Sequence, residues 1–199
     1  MIAIFDYAAG NLQSVKNTLD AIGASYELVR DSAGLCRASK IILPGVGHFG
    51  QLTRAIEELG VREALIERIR AGVPFLGICL GLQALFTSSE EAPEERGLGI
   101  LEGTVARFQG RERIPHMGWN QVQPIRQTRL LRGVGDSPFL YFAHSYYCPV
   151  VPATAAICDY IVPYTAVLEQ DNVYGVQFHP EKSGVVGQTI VRNFIDNRC

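Results

Sequence analysis

The chain has 199 residues, of which 47% are hydrophobic and 19% are charged, so intrinsic disorder is excluded as its main state. The length predicts a single domain covering residues 1–199. Eighteen basic against twenty acidic side chains give a net charge of −2, which excludes a general attraction to nucleic acid or to an anionic membrane.

Strands and helices alternate in the first part of the sequence. Four short apolar runs predict strands, at 2–5, 26–29, 41–43 and 75–78. Apolar residues recur at helical spacing over 12–22, with Asn11 as the cap and Gly23 as the stop, and again over 52–69 and 82–86. Because strands separated by helices pair in parallel through right-handed crossovers, this half predicts a parallel α/β sheet.

The second half changes to strands and turns. The acidic segment 88–96 predicts a solvated surface loop. A last helix with an apolar face is predicted over 186–195. Five further apolar runs predict strands, at 104–108, 119–122, 139–143, 165–169 and 173–178.

Membrane, metal and secretory features are not expected. Two uncharged stretches, 71–89 and 137–158, are long enough to span a bilayer, but their prolines and polar residues are typical of buried strands joined by turns. Five cysteines without a C-x-x-C pair indicate reduced thiols rather than a zinc site or a disulfide scaffold. With no signal-peptide pattern before the first strand, we expect a cytoplasmic protein. We also expect that it uses neither a metal nor another cofactor.

The sharpest local motif is the segment 77–83, in which Cys79 stands between Gly77 and Gly81 directly after an apolar strand and before a helical pattern. This spacing is typical of a nucleophile elbow, where glycines are needed because neighbouring side chains would collide. A helix N-terminus there would favour the thiolate. A small buried cysteine in a glycine-rich packing turn explains the same segment equally well.

A base for this cysteine is offered by His179, which follows a strand and precedes Pro180. Pro180 favours an extended His179, and residues two apart in an extended segment point to the same side. The Glu181 carboxylate can therefore reach the imidazole and fix its tautomer. Cys79, His179 and Glu181 then form a triad by role, although a surface turn with unrelated charges remains the alternative.

The glycine-rich loop 44–50 follows the third strand. Its glycines allow backbone N–H groups to turn toward a ligand. We therefore predict that the Val46 N–H is one donor of an oxyanion hole and that the Leu80 N–H is the other. Without the triad, the loop is equally well explained as a plain tight turn.

Together, the segments 77–83, 44–47 and 179–183 resemble the class I glutamine amidotransferases. Ala8 and His48 stand where glycine and alanine are more usual in that family, and Leu82 replaces a common methionine. Three further blocks narrow the resemblance to the glutaminase subunits of imidazole glycerol phosphate synthases, at 6–12, 116–120 and 141–147.

The resemblance implies a flavodoxin-like α/β fold with a mostly parallel central sheet flanked by helices. It implies that Cys79 attacks glutamine, that His179 moves the proton and that Glu181 holds His179. Ammonia is then expected to pass to a (β/α)8 cyclase subunit in a heterodimer. The resemblance also implies that glutamine is bound by Gly47, Gln83, Ser145 and Tyr146. It implies that the partner is contacted by Asn11, Trp119, Tyr141 and Lys182.

Two other functions stay open on the sequence alone. A cysteine esterase or lactonase of the α/β-hydrolase type has the same elbow, but it requires an aspartate before the histidine in chain order, whereas Glu181 follows it. A noncatalytic module binding RNA or an acidic partner is suggested by residues 107–132, which hold six arginines and one glutamate. Solvated arginines on turns are the simpler explanation, because no aromatic platform is interleaved with them.

Overall fold

A computed structural model describes residues 1–8 and 12–196. Within these residues the strands are β1 (Ile2–Phe5), β2 (Tyr26–Val29), β3 (Lys40–Leu43), β4 (Phe75–Ile78), β5 (Phe86–Ser89), β6 (Leu101–Arg107), β7 (His116–Gln121), β8 (Gln123–Pro124), β9 (Phe139–His144), β10 (Tyr146–Tyr147), β11 (Thr154–Tyr160), β12 (Val162–Gln170) and β13 (Val173–Val176). The helices are α1 (Leu12–Ala21), α2 (Ser32–Arg37), α3 (Phe49–Glu58), α4 (Arg62–Arg70), α5 (Leu80–Gln83) and α6 (Gly184–Asp196), with a 3₁₀ turn at Pro180–Lys182.

The central sheet has eight strands in the order β2-β1-β3-β4-β13-β12-β11-β8. The first five run parallel, and β12, β11 and β8 continue the sheet in antiparallel pairs. The predicted mostly parallel α/β sheet is therefore confirmed. Since β4 and β13 are parallel neighbours, the residues that follow them emerge at the same edge of the sheet.

The innermost strands are apolar throughout because both faces of the sheet are covered. Every residue of β1 and β4 is buried, as expected for parallel strands between two helical layers. One apolar cluster contains residues of α3 and α4, among them Leu52 and Leu65. The other contains residues of α1 and α6, among them Leu19 and Phe194.

Two small sheets lie beside the central one. In the first, β6 pairs in parallel with β5 and antiparallel with β10. In the second, β7 and β9 form an antiparallel pair. The backbone N–H of His179 donates to the Tyr141 carbonyl of β9 at 2.8 Å, which attaches the β7–β9 pair to the carboxyl edge of the central sheet.

Some predicted elements differ in the structure. The helix predicted over 82–86 was wrong in extent. The helix α5 ends at Gln83, and Phe86 begins β5, where it pairs with Leu101. A short apolar run fits both the helical and the strand period, and here the pairing with β6 makes the segment a strand. The strand β11 and the helix α2 were not predicted. None of the helices within residues 12–196 has both the length and the apolar character needed to cross a membrane.

Candidate functional site

Cys79 occupies a sharp turn between β4 and α5. Its backbone has φ 52° and ψ −104°, in the left-handed half of conformational space that residues other than glycine rarely adopt. A side chain at Gly77 would overlap the backbone of Gly81, and one at Gly81 would overlap the Leu43 carbonyl. The collisions predicted for the elbow are therefore present, and such strain is typical of functional positions.

The helix that follows Cys79 is shorter than the sequence predicted. Only Leu80–Gln83 are helical, so one turn of peptide dipoles faces the sulfur and the macrodipole effect is small. The sulfur instead has side-chain partners. Gln177 Nε2 donates to Cys79 Sγ at 3.5 Å, and His179 lies within hydrogen-bonding reach of the same atom.

His179 and Glu181 form a buried pair beside Cys79. His179 Nδ1 lies 2.8 Å from Glu181 Oε1, and the two side chains are 2% and 3% exposed. Burial alone would lower the pKa of His179, but the charge on Cys79 and the hydrogen bonds with Cys79 and Glu181 outweigh it and raise the pKa to about 10. At neutral pH the geometry thus favours the imidazolium form of His179.

Of the two backbone donors expected to line an oxyanion hole, one has an acceptor within the protein and the other lies near the Tyr7 side chain. Leu80 N–H donates to the Gly45 carbonyl at a long 3.4 Å. Val46 N–H lies against the buried Tyr7 hydroxyl, where it partly offsets the rise in the pKa of Tyr7 that burial causes. In this conformation the Leu80 N–H is directed at the Gly45 carbonyl rather than into the cavity.

The unusual residues Ala8 and His48 each have a local hydrogen bond. Ala8 has φ 64°, a conformation that explains the more usual glycine, and its N–H donates to Asp6 Oδ1 at 2.9 Å. His48 is the N-cap of α3, with Nδ1 accepting from the Gly50 N–H at 3.1 Å. His48 therefore stabilises the helix that follows the glycine-rich loop.

A cavity of about 390 Å³ opens over the sulfur of Cys79. The positions predicted to bind glutamine all reach it, and so do Val46 and Leu80. Its lining consists of Val46, Gly47, Cys79, Leu80, Gln83, Glu91, Pro115, Met117, Ala143, His144, Ser145, Tyr146, His179 and Lys182.

The Tyr146 carbonyl is a fixed point in the wall of this cavity. It accepts from Gln83 Nε2 at 2.9 Å and from His144 Nδ1 at 2.8 Å. A carbonyl can only accept, so Gln83 directs its Nε2 toward the protein. The Gln83 carbonyl oxygen has no hydrogen-bond partner among the described residues, and Gln83 lines the cavity.

Glu91 and Gln177 are site residues that sequence reasoning missed. Glu91 belongs to the segment predicted as a solvated loop, yet its Oε2 accepts from the Phe49 N–H at 2.7 Å and the residue lines the cavity. The loop prediction was wrong on this point, because the carboxylate binds the first turn of α3. Gln177 could have been found from its position, as a polar residue within the apolar end of a predicted strand.

Three of the four predicted partner-binding residues lie next to one another. Trp119 and Tyr141 are cross-strand neighbours on β7 and β9, with ring centroids 6.2 Å apart, and Trp119 is 56% exposed. Lys182 Nζ lies 5.7 Å from the Tyr141 ring centroid. Asn11 lies outside the described residues.

Two arginines of the basic segment 107–132 serve the fold. Arg126 donates to the backbone carbonyls of Thr154, Ala153 and Glu169. Arg129 lies 3.3 Å from the Glu169 carboxylate. These contacts account for part of the cluster without a nucleic-acid partner.

Two buried histidines beside the site give a prediction about acid stability. Burial lowers the pKa of His116 to about 4 and that of His144 to about 3. The unfolded chain therefore binds more protons below pH 6.5, and the free energy of unfolding should fall as pH drops from 6.5 toward 4. In His116→Phe this fall should shrink by about 2 kcal/mol. Urea denaturation at several pH values measures it; parallel curves for both proteins would contradict the prediction.

Comparison with known families matches residues 3–197 to the class-I glutamine amidotransferase model. The chain is 46% identical to imidazole glycerol phosphate synthase subunit HisH of Methanothermobacter thermautotrophicus, covering 98% of each protein. It is 45% identical to the HisH subunit of Desulfitobacterium hafniense strain Y51, over 98% of this chain and 93% of that one.

Solved structures share the fold at lower identity. A glutamine amidotransferase crystal structure superposes with a TM-score of 0.78 and 21% identity, over 98% of this chain and 97% of that one. The PurLQS structure from Thermotoga maritima gives a TM-score of 0.73 at 19% identity, with the same coverage. The expected class I amidotransferase fold is therefore confirmed.

Proposed function

The chain belongs to the class I glutamine amidotransferase family, and from this premise we propose that it is the glutaminase subunit of an imidazole glycerol phosphate synthase, acting in histidine biosynthesis. The observation that carries the proposal is the contact of Cys79 with the His179–Glu181 pair at the base of a cavity. The proposed reaction is hydrolysis of L-glutamine to L-glutamate and ammonia. Its direct test is glutamate release by this chain mixed with the cyclase subunit and the cyclase's nucleotide substrate, which must depend on Cys79.

In the first half of the reaction, the Cys79 thiolate attacks the side-chain carboxamide carbon of glutamine. The resulting oxyanion requires two N–H donors, for which Val46 and Leu80 are the proposed pair. His179, protonated because its pKa is raised to about 10, gives its proton to the amide nitrogen. The carbon–nitrogen bond breaks, ammonia leaves, and a glutamyl thioester remains on Cys79.

In the second half, His179 is neutral and acts as the base. It takes a proton from water as the water oxygen attacks the thioester carbon, and the thiolate leaves with glutamate as the product. Glu181 accepts from His179 Nδ1 throughout, which keeps Nε2 as the proton-carrying atom and stabilises each imidazolium.

The cavity offers groups that match the free ends of glutamine. The Gln83 carbonyl oxygen and the Glu91 carboxylate are acceptors for its α-ammonium group. The backbone around Gly47, Ser145 and Tyr146 supplies the remaining wall and is proposed to hold the α-carboxylate and the side chain.

The partner is proposed to be a (β/α)8 cyclase subunit in a heterodimer. The docking strip, defined as Met117, Trp119, Phe139, Tyr141 and Lys182, adjoins the cavity, and its first three members are more than half exposed. Large exposed aromatic and methionine side chains are typical interface anchors. Passage of ammonia across this strip and a cytoplasmic location belong to the same proposal.

Removal of the base should cost more than removal of its carboxylate. We expect His179→Ala to lower kcat about 10⁴-fold and Glu181→Ala to lower it less, because the carboxylate orients the imidazole but transfers no proton. Glutamate release by both variants and the parent chain, each with the cyclase, measures the order. A Glu181→Ala variant that folds normally yet is the more impaired of the two would assign the base to Glu181.

A further inference from the structure

Gln177 is a fully buried polar residue for which the proposed reaction has no role. It follows β13 by one position and extends the pairing with β12 through its N–H, which donates to the Ala166 carbonyl at 3.0 Å. The parallel register sets Val176 opposite Ile78, so the next residues on the two strands, Gln177 and Cys79, are neighbours at the sheet edge. There Gln177 Nε2 lies 3.5 Å from Cys79 Sγ.

The direction of this hydrogen bond is set by a backbone group two residues away in the network. The Tyr146 carbonyl requires a donor, so the nitrogen of the Gln83 amide must face it, at 2.9 Å. The same Gln83 nitrogen lies 3.3 Å from the Gln177 amide and needs an acceptor there, which places Oε1 of Gln177 on that side. The Gln177 nitrogen is left facing sulfur, so the amide orientation does not depend on an arbitrary choice between oxygen and nitrogen.

We infer that Gln177 donates to the reacting sulfur of Cys79, that it stabilises the negative charge there and holds the sulfur in place for attack, and that Gln83 keeps the donor pointed at it. The inference rests on the proposed glutaminase function. A neutral donor suits this position because it favours the thiolate without competing with His179 for the role of acid. A fixed dipole in a buried site also needs no reorganisation when the sulfur attacks.

The network joins the substrate wall to the nucleophile. Gln83 contacts the Tyr146 carbonyl on one side and Gln177 on the other, and it also lines the cavity. A ligand that donates a hydrogen bond to the Gln83 carbonyl oxygen therefore contacts the same amide group that orients Gln177. Substrate binding and the orientation of the sulfur donor are linked through one side chain.

The test uses two variants of the full chain that remove the donor in different ways. Gln177→Met fills the same space without an N–H group, and Gln177→Leu removes the N–H group with a branched apolar side chain. Alkylation of Cys79 by iodoacetamide is followed by mass spectrometry of the Cys79 peptide from neutral to alkaline pH. We expect the rate at neutral pH to fall roughly 10- to 100-fold and to recover at high pH, since a hydrogen bond to a charged group is lost.

Thr165→Val is the matched control. Thr165 is also fully buried and hydrogen-bonded, to Thr154 on the neighbouring strand, but it does not touch the cavity. The control should lower the melting temperature and leave the alkylation profile of Cys79 unchanged. An unchanged profile in the folded Gln177 variants, or the same shift in Thr165→Val, would overturn the inference. If the shift is found while the parent chain with the cyclase releases no glutamate, the sulfur contact stands and the proposed function fails.

Discussion

Replacement of Cys79 by serine is expected to abolish glutamine hydrolysis, with a loss on the order of 10⁴-fold or more in kcat, while the fold survives. The sulfur is the one nucleophile in contact with the imidazole of His179 among the described residues. A serine hydroxyl is far harder to ionise beside that histidine than a thiol. Glutamate release with the cyclase present measures the loss, and circular dichroism checks the fold.

The same assignment predicts selective labelling. An electrophilic analogue of glutamine should modify Cys79, because burial raises the pKa of the Cys148 thiol and raises that of Cys158 to about 11. Cys36 is exposed and does not line the cavity, so Cys36→Ser is the matched control and should retain full activity. Preferential labelling of Cys36 or Cys148 by the analogue would refute the assignment of the nucleophile.

The chain alone is expected to be a poor glutaminase, slower by roughly 100- to 1,000-fold than the same chain with the cyclase and its nucleotide substrate. The reason is that a missing oxyanion donor removes about 3 to 4 kcal/mol of transition-state stabilisation. In the structure, Leu80 N–H donates to Gly45 and Val46 N–H lies against Tyr7. Gly45 and Gly47 give the loop other accessible conformations, of which one type turns the Val46 N–H toward the oxyanion. Partner contacts can shift that population without touching the triad.

Glutamate formation should be compared for three mixtures: the chain alone, the chain with the cyclase, and both with the nucleotide substrate. The expected order is a rise at each addition. Trp119→Ala provides a variant whose triad is intact, and it should reduce the stimulation while the rate of the chain alone stays as in the parent. Equal rates in all three mixtures would rule out the gating and indicate a self-sufficient hydrolase.

The parallel half of the fold and the elbow at Cys79 could be predicted from sequence because their signals are local. Runs such as Ile2–Phe5 and Phe75–Ile78 are apolar on both faces, and each ends at a turn. The spacing of Gly77, Cys79 and Gly81 reflects close backbone contacts at one turn, so the elbow can be recognised from a short stretch of sequence.

Features that depend on distant partners could not be predicted in the same way. Phe86 leaves the helical pattern because it pairs with Leu101, and Glu91 of the acidic segment turns toward the protein because its carboxylate accepts from the Phe49 N–H. Gln177 offered a weak signal, a polar residue in an apolar run, but its meaning depends on a register with β4 that one sequence does not specify.

The backbone attachment of His179 to β9 has a mechanical consequence. The His179 N–H donates to the Tyr141 carbonyl, the Tyr141 N–H donates to Ser183 Oγ, and that hydroxyl donates back to the His179 carbonyl at 2.7 Å. These three hydrogen bonds therefore join the strand that carries Tyr141 to the turn that carries His179. The strand on which the partner is proposed to dock therefore also sets the alignment of His179.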